Sequence, residues 1–126
     1  MVPSGLTSLV TPTLAFTTSG EKPSAGSILI QGTIGTTGLG FGQGVRCTGG
    51  VIKRLYFRNA VLGSVTLPNF GLGDLDIPTR AAAVGNPINP GENRWYQVYY
   101  RDGTVVGGCP STLQFNITNG SQVTWN

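Results

Sequence analysis

The chain has no histidine, and only 10% of its 126 residues are charged. Without histidine it lacks the commonest general base and the commonest metal ligand of proteins. Its charged fraction lies well below the roughly 25% of an average soluble domain. No apolar run is long enough to cross a membrane as a helix. These absences argue against an enzyme, against a bound metal or other cofactor, and against membrane insertion.

Cysteine is scarce as well, with two residues, Cys47 and Cys109, that each lie beside glycines. Two lone cysteines in a small chain rich in strand-forming residues predict one disulfide, formed in an oxidising compartment. Such a bridge would close a loop of roughly 60 residues and stabilise the fold by about 4 kcal/mol. We therefore expect an extracellular or cell-surface protein. Met1 to Phe16 lack the basic start of a secretory signal peptide, so we expect a mature or excised chain, or export by another route.

Basic residues outnumber acidic ones, and the net charge is +3. The cations are scattered along the chain at Lys22, Arg46, Lys53, Arg54, Arg58, Arg80, Arg94 and Arg101. A phosphate-binding surface needs several cations that converge on one face. Only Lys53, Arg54 and Arg58 are close in sequence, and alternation along a strand places neighbours on opposite faces. We therefore expect no nucleic-acid partner.

Glycine and proline are abundant, with 20 and 8 residues, and they separate short segments rich in β-branched and aromatic residues. The predicted strands are 27–31, 51–58, 61–67, 72–77, 94–101, 112–118 and 121–125. No window keeps a helical apolar period, and Thr79 to Val84 is the only short helical candidate. The pattern predicts an all-β fold with a single antiparallel β-sandwich of the jelly-roll or Ig-like type, or a partly open barrel.

The first 26 residues are rich in serine, threonine, proline and glycine. This composition predicts a flexible or extended N-terminal arm at 1–26, followed by the β-sandwich domain at 27–126. The apolar residues of the arm are Leu9, Val10, Leu14 and Phe16. Because an extended arm can add a strand to the sheet edge of a neighbouring subunit, we expect it to mediate assembly.

The chain ends in an Asn-Gly sequence between two predicted strands, which is typical of a β-hairpin. A three-residue loop at 118–120 would place Phe115 opposite Val123 and Leu113 opposite Trp125. Because register follows the buried face, we prefer this loop over a two-residue Asn-Gly turn.

Three segments, taken in order, resemble a poorly characterised module near the C-terminus of large secreted bacterial surface proteins. They are FGQGVRCTGG at 41–50, RWYQVYYRD at 94–102 and FNITNGSQVTW at 115–125. In that module an Arg-Cys-x-Gly-Gly turn precedes a strand, an aromatic Tyr-Gln strand ends in Arg-Asp, and an Asn-Gly hairpin ends in Val-Thr-Trp. The resemblance covers residues 28–126, and it implies an extracellular, disulfide-linked β-module without known catalytic residues.

The segment 94–101 places aromatic residues on both faces of one predicted strand. They are Trp95, Tyr96, Tyr99 and Tyr100. One face belongs to the core, and the other is a sugar-stacking platform, a contact between subunits or another buried layer. We expect this strand to supply any ligand or subunit contact.

The five acidic residues offer few catalytic or metal-binding groups. Asp74 and Asp76 share a face of the predicted strand 72–77, and a hydrolase needs two carboxylates across the cleaved bond. The same pair is a weak calcium candidate, because calcium takes about six to eight oxygen ligands and the sequence offers too few. Serine catalysis lacks a histidine partner. We expect a solvated face here, with no catalytic residue.

These features predict a secreted structural or adhesive module at the cell surface. It is expected to self-associate or bind other surface proteins, and to build a filament through its N-terminal arm. Low charge favours such packing because little like-charge repulsion opposes it. The alternative is a carbohydrate-binding module that holds a polysaccharide on the aromatic strand face. A hydrolase built on Asp74 and Asp76 is the third hypothesis.

Overall fold

The computed structural model describes residues 1–103 and 113–126. In these residues 49% lie in strands and 9% in helices, which confirms the predicted all-β class. Their strands are β1 (Val2–Ser4), β2 (Ala15–Ser19), β3 (Gly26–Gly32), β4 (Ile34–Phe41), β5 (Gly44–Gly49), β6 (Lys53–Asn59), β7 (Ser64–Leu67), β8 (Asn93–Arg101), β9 (Phe115–Ile117) and β10 (Ser121–Thr124). Their helices are α1 (Ile77–Ala83) and a 3₁₀ helix (Phe70–Leu72). Neither helix has the length and apolar character needed to span a membrane.

A central five-stranded sheet organises the molecule. Its order is β10-β8-β3-β6, and β9 pairs with the same edge of β8 as β10 does. A second sheet contains β1, β2 and β7, and the third is the β4–β5 hairpin. All of these strand pairs are antiparallel.

Strand β8 shows how side chains divide between the two faces of the central sheet. Tyr96 and Val98 are fully buried in the main core, where the ring of Tyr96 lies 5.0 Å from that of Phe16 in β2. We call this side the core face. Gln97 and Tyr99 alternate with these residues and lie on the opposite side. Because the β4–β5 hairpin packs there, we call that side the hairpin face.

The predicted single β-sandwich is only part of the architecture. The second sheet covers the core face of the central sheet, as in a sandwich, but the hairpin covers part of the other face. The backbones of β3 and β5 approach closely, and a Cβ at Gly32 would lie 2.5 Å from the carbonyl oxygen of Gly49. The described residues therefore form three layers, with the central sheet in the middle.

Helix α1 begins inside a segment whose alternation predicts a strand. The side chain of Asp76 caps the helix by accepting a hydrogen bond from the N–H of Thr79 at 2.8 Å. Pro78 lies in the first turn, where its missing N–H leaves no helical hydrogen bond unmade. The predicted strand 72–77 is therefore wrong, whereas the short helix predicted at 79–84 is present and starts two residues earlier.

Residues 1–26 belong to the folded domain, so the prediction of a separate arm is wrong. Strands β1 and β2 form a hairpin, and β2 pairs with β7. Leu14 and Phe16 are buried in the core, at 4% and 0% exposure. Leu9 packs against that core, and its N–H donates to the carbonyl of the last residue at 2.8 Å. Of the four apolar residues assigned to the arm, Val10 alone is exposed.

The predicted C-terminal hairpin is wrong as well. Strands β9 and β10 do not pair with each other but continue along one edge of β8, interrupted at 118–120. Ile117 is opposite Tyr99 and Ser121 is opposite Tyr96. Three residues on this edge therefore face two on β8, which makes the interruption a β-bulge.

The bulge has a clear physical reason in the apolar residues on either side of it. Ile117, Val123 and Trp125 are all odd-numbered, so an unbroken strand would place them on one face. The extra residue separates them, because Ile117 pairs with a residue of the hairpin face whereas Val123 and Trp125 join the core. The register of β9 and β10 therefore follows the burial of their apolar residues, as expected, but a bulge achieves it and not a hairpin turn.

The predicted disulfide is not formed in the structure. Cys47, in β5, is a half-buried free cysteine. Its predicted partner, Cys109, lies outside the described residues. In the absence of this bridge, hydrogen bonds between the side chain of Gln97 in β8 and the backbone of β5 hold β5 against the central sheet.

Candidate ligand groove

A bulge in β6 places two side chains on the hairpin face of the central sheet. The register of β6 against β3 shifts by one residue at Leu55. Leu55 and Tyr56 are therefore both buried in the core. Arg54 and Phe57, on either side of them, share the hairpin face, and Phe57 is 62% exposed.

The tip of the β4–β5 hairpin reaches β9 on the same face. Gly42 and Gln43 form its two-residue turn, and the N–H of Gln43 donates to the carbonyl of Phe115 at 2.9 Å. Gly42 has a φ of 62°, and a Cβ at this position would collide with Phe115. This position therefore needs glycine. The contact brings Phe41, at the end of β4, against Phe115.

Three aromatic rings meet at this tip and form what we call the aromatic cluster: Phe41, Tyr99 and Phe115. The ring centroids of Phe41 lie 5.6 Å from Tyr99 and 5.0 Å from Phe115, and those of Tyr99 and Phe115 are 6.4 Å apart. All three pairs are edge-to-face, which is a favourable geometry for aromatic rings. Each residue is half-buried. The rings therefore hold one another in place while part of their surface stays open to solvent.

A groove of about 530 Å³ opens beside the aromatic cluster, and Arg54, Arg101 and Gln114 complete its lining. A second depression of about 280 Å³ shares part of that lining. The second depression is lined by Ile30, Phe41, Arg46, Ile52, Arg54 and Tyr99. Small-molecule sites commonly enclose roughly 300–1,000 Å³. We refer to the two depressions together as the groove.

Two arginines lie against the aromatic cluster. The guanidinium carbon of Arg46 is 5.5 Å from the ring centroid of Phe41, and that of Arg54 is 5.9 Å from the ring centroid of Tyr99. Such cation–π contacts position a guanidinium and leave its N–H edge available. The Nε of Arg46 is buried and has no hydrogen-bond partner among the described residues. Arg101 lines the same groove and is exposed.

The acidic side chains are all engaged by other groups. Glu21 accepts hydrogen bonds from Thr18 and Ser27, Asp74 from Arg58, Asp76 from Thr79, and Glu92 from Arg94, while Asp102 lies 3.9 Å from Lys22. Within residues 1–103 and 113–126, which hold every charged residue of the chain, none of the three groove arginines forms an ion pair. The groove therefore combines apolar ring surface with uncompensated positive charge.

The four aromatic residues predicted as a contact surface occupy different environments. Tyr96 is fully buried in the core. Tyr100 packs against the core, and burial raises its pKa. Trp95 lies beneath the hairpin, where a Cβ at Gly35 would be 2.6 Å from its indole nitrogen. Tyr99 alone among the four lines the groove.

The two aspartates proposed for catalysis or calcium binding make structural hydrogen bonds. Asp74 accepts from a terminal nitrogen of Arg58 at 2.5 Å and from the N–H of Asn69 at 2.8 Å. Burial alone would raise the pKa of Asp74, but these two bonds, together with the positive charges of Arg58 and Arg80, hold that pKa below its usual value. Asp76 caps α1. Within the described residues no three acidic or cysteine side chains are arranged to hold a metal ion.

No protein-family model, curated protein or solved structure matches the chain. The functional assignment therefore depends on the geometry of the groove.

Most of the groove residues were not identified from the sequence. Tyr99 and Arg101 are two residues apart in β8, so the sequence alone indicates that they lie on the same face of the sheet. Arg101, however, resembles an ordinary charged residue at the end of a strand. Arg46 and Arg54 looked like scattered cations because they lie on different strands. The fold brings them together through the hairpin and the β6 bulge.

Proposed function

We propose that this protein is an extracellular carbohydrate-binding module that holds a polysaccharide chain in the groove. The observation that carries the proposal is the aromatic cluster in the wall of an open groove. Sugar rings present apolar C–H faces, and the negative faces of aromatic rings attract them. Because the rings already hold one another, little conformational entropy is lost when a ligand binds.

The proposed location is the cell surface, where binding to a polysaccharide makes the protein adhesive. The support is the low charge content and a composition rich in threonine, asparagine, serine and glycine. The resemblance to a module of secreted bacterial surface proteins agrees with this location. Adhesion then comes from a ligand groove on one folded domain.

Self-assembly through an N-terminal arm is not part of the proposal. The segment that was expected to reach a neighbour completes its own domain instead, with Phe16 fully buried. One of the two edge strands of the central sheet, β6, also contacts its own domain, because Arg80 of α1 donates its Nε–H to the carbonyl of Leu55 at 2.8 Å. The groove is therefore the better-supported contact surface.

Affinity electrophoresis through native gels that contain soluble polysaccharides tests the proposal. The panel includes dextran, xyloglucan, mixed-linkage β-glucan and pectin. We expect at least one polymer to retard the protein, and Tyr99→Ala to weaken that association by about tenfold, which corresponds to the loss of one stacking contact. The melting temperature of each variant shows that it remains folded.

Phe70→Ala is the matched control. Phe70 is 45% exposed and lies in the 3₁₀ helix, outside the groove. We expect this variant to migrate like the wild-type protein in every gel. The absence of retardation by any polymer, or equal losses for Tyr99→Ala and Phe70→Ala, would contradict the proposal.

A further inference from the structure

We infer that the groove selects a polysaccharide that carries carboxylate or sulfate groups. The inference rests on the proposed carbohydrate-binding function and adds the charge of the ligand. It comes from Arg46, Arg54 and Arg101, which line the groove and pair with no acidic side chain among the described residues.

The groove accounts for the whole net charge of the chain. Eight cations less the three in the groove leave five, which balance the five acidic residues. Arg58 and Arg94 lie in ion pairs with residues outside the groove lining, and Lys22 lies 3.9 Å from Asp102, the residue that follows Arg101. A surface with this distribution attracts an anion over a distance of about 8–10 Å at physiological salt. An anionic chain is therefore drawn to the aromatic cluster and not to another face.

The arginines are also oriented for oxyanions. A guanidinium presents a planar set of N–H donors that matches a carboxylate or a sulfate. Contact with the rings of Phe41 and Tyr99 limits the positions that Arg46 and Arg54 adopt. The Nε of Arg46 is buried without a partner, so the donors that Arg46 offers to a ligand in the second depression are the other N–H groups of its guanidinium.

A polysaccharide fits these observations better than a nucleic acid does. A single-stranded nucleic acid carries one phosphate per nucleotide and binds along a continuous basic track. The ion pairs of Arg58 and Arg94 leave no such track beyond the groove in the part of the chain that the structure describes. Sparse charge beside an apolar wall suits a sugar chain with occasional anionic groups.

Isothermal titration calorimetry with two matched pairs of polymers tests the inference. The pairs are polygalacturonate with its methyl ester, and dextran sulfate with dextran, so that the two members of each pair share a sugar backbone and only one of them carries the anionic groups. We expect the wild-type protein to bind the anionic member of at least one pair about tenfold more tightly than the neutral member, and to lose this preference at high salt. Arg54→Gln and Arg101→Gln are each expected to weaken that binding by about fivefold or more.

Lys53→Gln is the control, because it removes the same charge from the residue next to Arg54 but lies outside the groove lining. It is expected to bind like the wild-type protein. Equal weakening by Lys53→Gln and Arg54→Gln would mean that binding follows general charge, which overturns the inference. Tighter binding of oligodeoxythymidylate than of any polysaccharide would overturn it as well.

The two proposals fail in different ways. Equal affinity for the charged and neutral members of each pair, together with a loss in Tyr99→Ala, overturns the charge selection and leaves carbohydrate binding in place. No binding to any of the four polymers by the folded wild-type protein, together with no retardation in the electrophoresis panel, overturns both.

Discussion

The side-chain oxygen of Gln97 accepts a hydrogen bond from the backbone N–H of Cys47 at 2.7 Å. The same oxygen accepts from the N–H of Thr48 at 3.0 Å, and the side-chain nitrogen donates to the carbonyls of Val45 and Thr118 at 3.2 and 2.9 Å. Gln97 is fully buried. One amide therefore joins the hairpin, the bulge between β9 and β10, and the central sheet.

The first prediction concerns this amide. Gln97→Leu keeps a similar volume but leaves four backbone groups without their partner. Because a buried polar group without a hydrogen bond is costly, we expect the free energy of unfolding to fall by about 3 kcal/mol. Urea unfolding monitored by tryptophan fluorescence measures the change. Faster hydrogen exchange at the amides of Cys47 and Thr48 is the local signature.

Gln122→Leu is the control for this substitution, since Gln122 is an exposed residue of β10. Its stability is expected to stay within about 0.5 kcal/mol of the wild-type value. If both variants lose the same stability, the hydrogen bonds of Gln97 do not fasten the hairpin.

The second prediction concerns a buried chain of hydrogen bonds on the core face. The indole N–H of Trp125 donates to the hydroxyl of Tyr96 at 3.0 Å, and that hydroxyl donates to the side chain of Gln31 at 2.8 Å. Burial raises the pKa of Tyr96. Tyr96→Phe leaves two buried groups without a partner, so we expect a loss of about 2 kcal/mol in urea unfolding.

Tyr99→Phe removes a hydroxyl from the same strand but on the hairpin face, where the ring is half-buried. We expect this control to change stability by less than about 0.5 kcal/mol. Equal stability of Tyr96→Phe and Tyr99→Phe would contradict a stabilising role for the buried chain.

The strands with the strongest local signals could be predicted from the sequence. Strands β3 and β8 are rich in β-branched and aromatic residues, and both ends of each strand lie within one residue of the predicted limits. The helix could be predicted as well, although it begins at Ile77 and not at the predicted Thr79. In each case the information lies within a few neighbouring residues.

The groove could not be predicted because its parts depend on two bulges and on a hairpin that folds onto a sheet. A single extra residue at Leu55 decides that Arg54 and Phe57 share a face. The position of Phe41 depends on contacts between its turn and Phe115, far away in sequence. A pattern of alternation holds no information on such contacts, because a bulge reverses the alternation after it.

The third prediction concerns the N-terminal segment. Deletion of residues 1–20 removes β1 and β2 and exposes the core, so we expect the truncated chain to lack a cooperative unfolding transition. Phe16→Ala, the milder change, is expected to lower the free energy of unfolding by about 3–5 kcal/mol. Val10→Ser, at a residue that is 89% exposed, is the neutral control. If the truncated chain still unfolds cooperatively, residues 1–20 are not part of the folded domain, as the hypothesis of a separate arm requires.

The last prediction concerns acid stability. Burial would raise the pKa of Asp74, but hydrogen bonds from Arg58 and from the N–H of Asn69, together with the charges of Arg58 and Arg80, hold it below its ordinary value of 3.8. Because the unfolded chain binds this proton more readily, Asp74 stabilises the fold above the ordinary value, and its contribution is lost as the pH falls through the lower value of the folded state. Asp74→Asn is therefore expected to be less stable than wild type at neutral pH and to show a smaller decline of stability below about pH 4.

A double-mutant cycle with Arg58→Gln, measured by urea unfolding at neutral and acidic pH, separates this pair from other acid effects. The coupling between Arg58 and Asp74 is expected to be favourable at neutral pH and to disappear once the carboxylate is protonated. The hydrogen bond from Asn69 remains in the Arg58→Gln variant, so part of the pH dependence of Asp74 should persist there. A coupling free energy of the same size at both pH values would show that packing between these two side chains, and not their charges, accounts for the interaction.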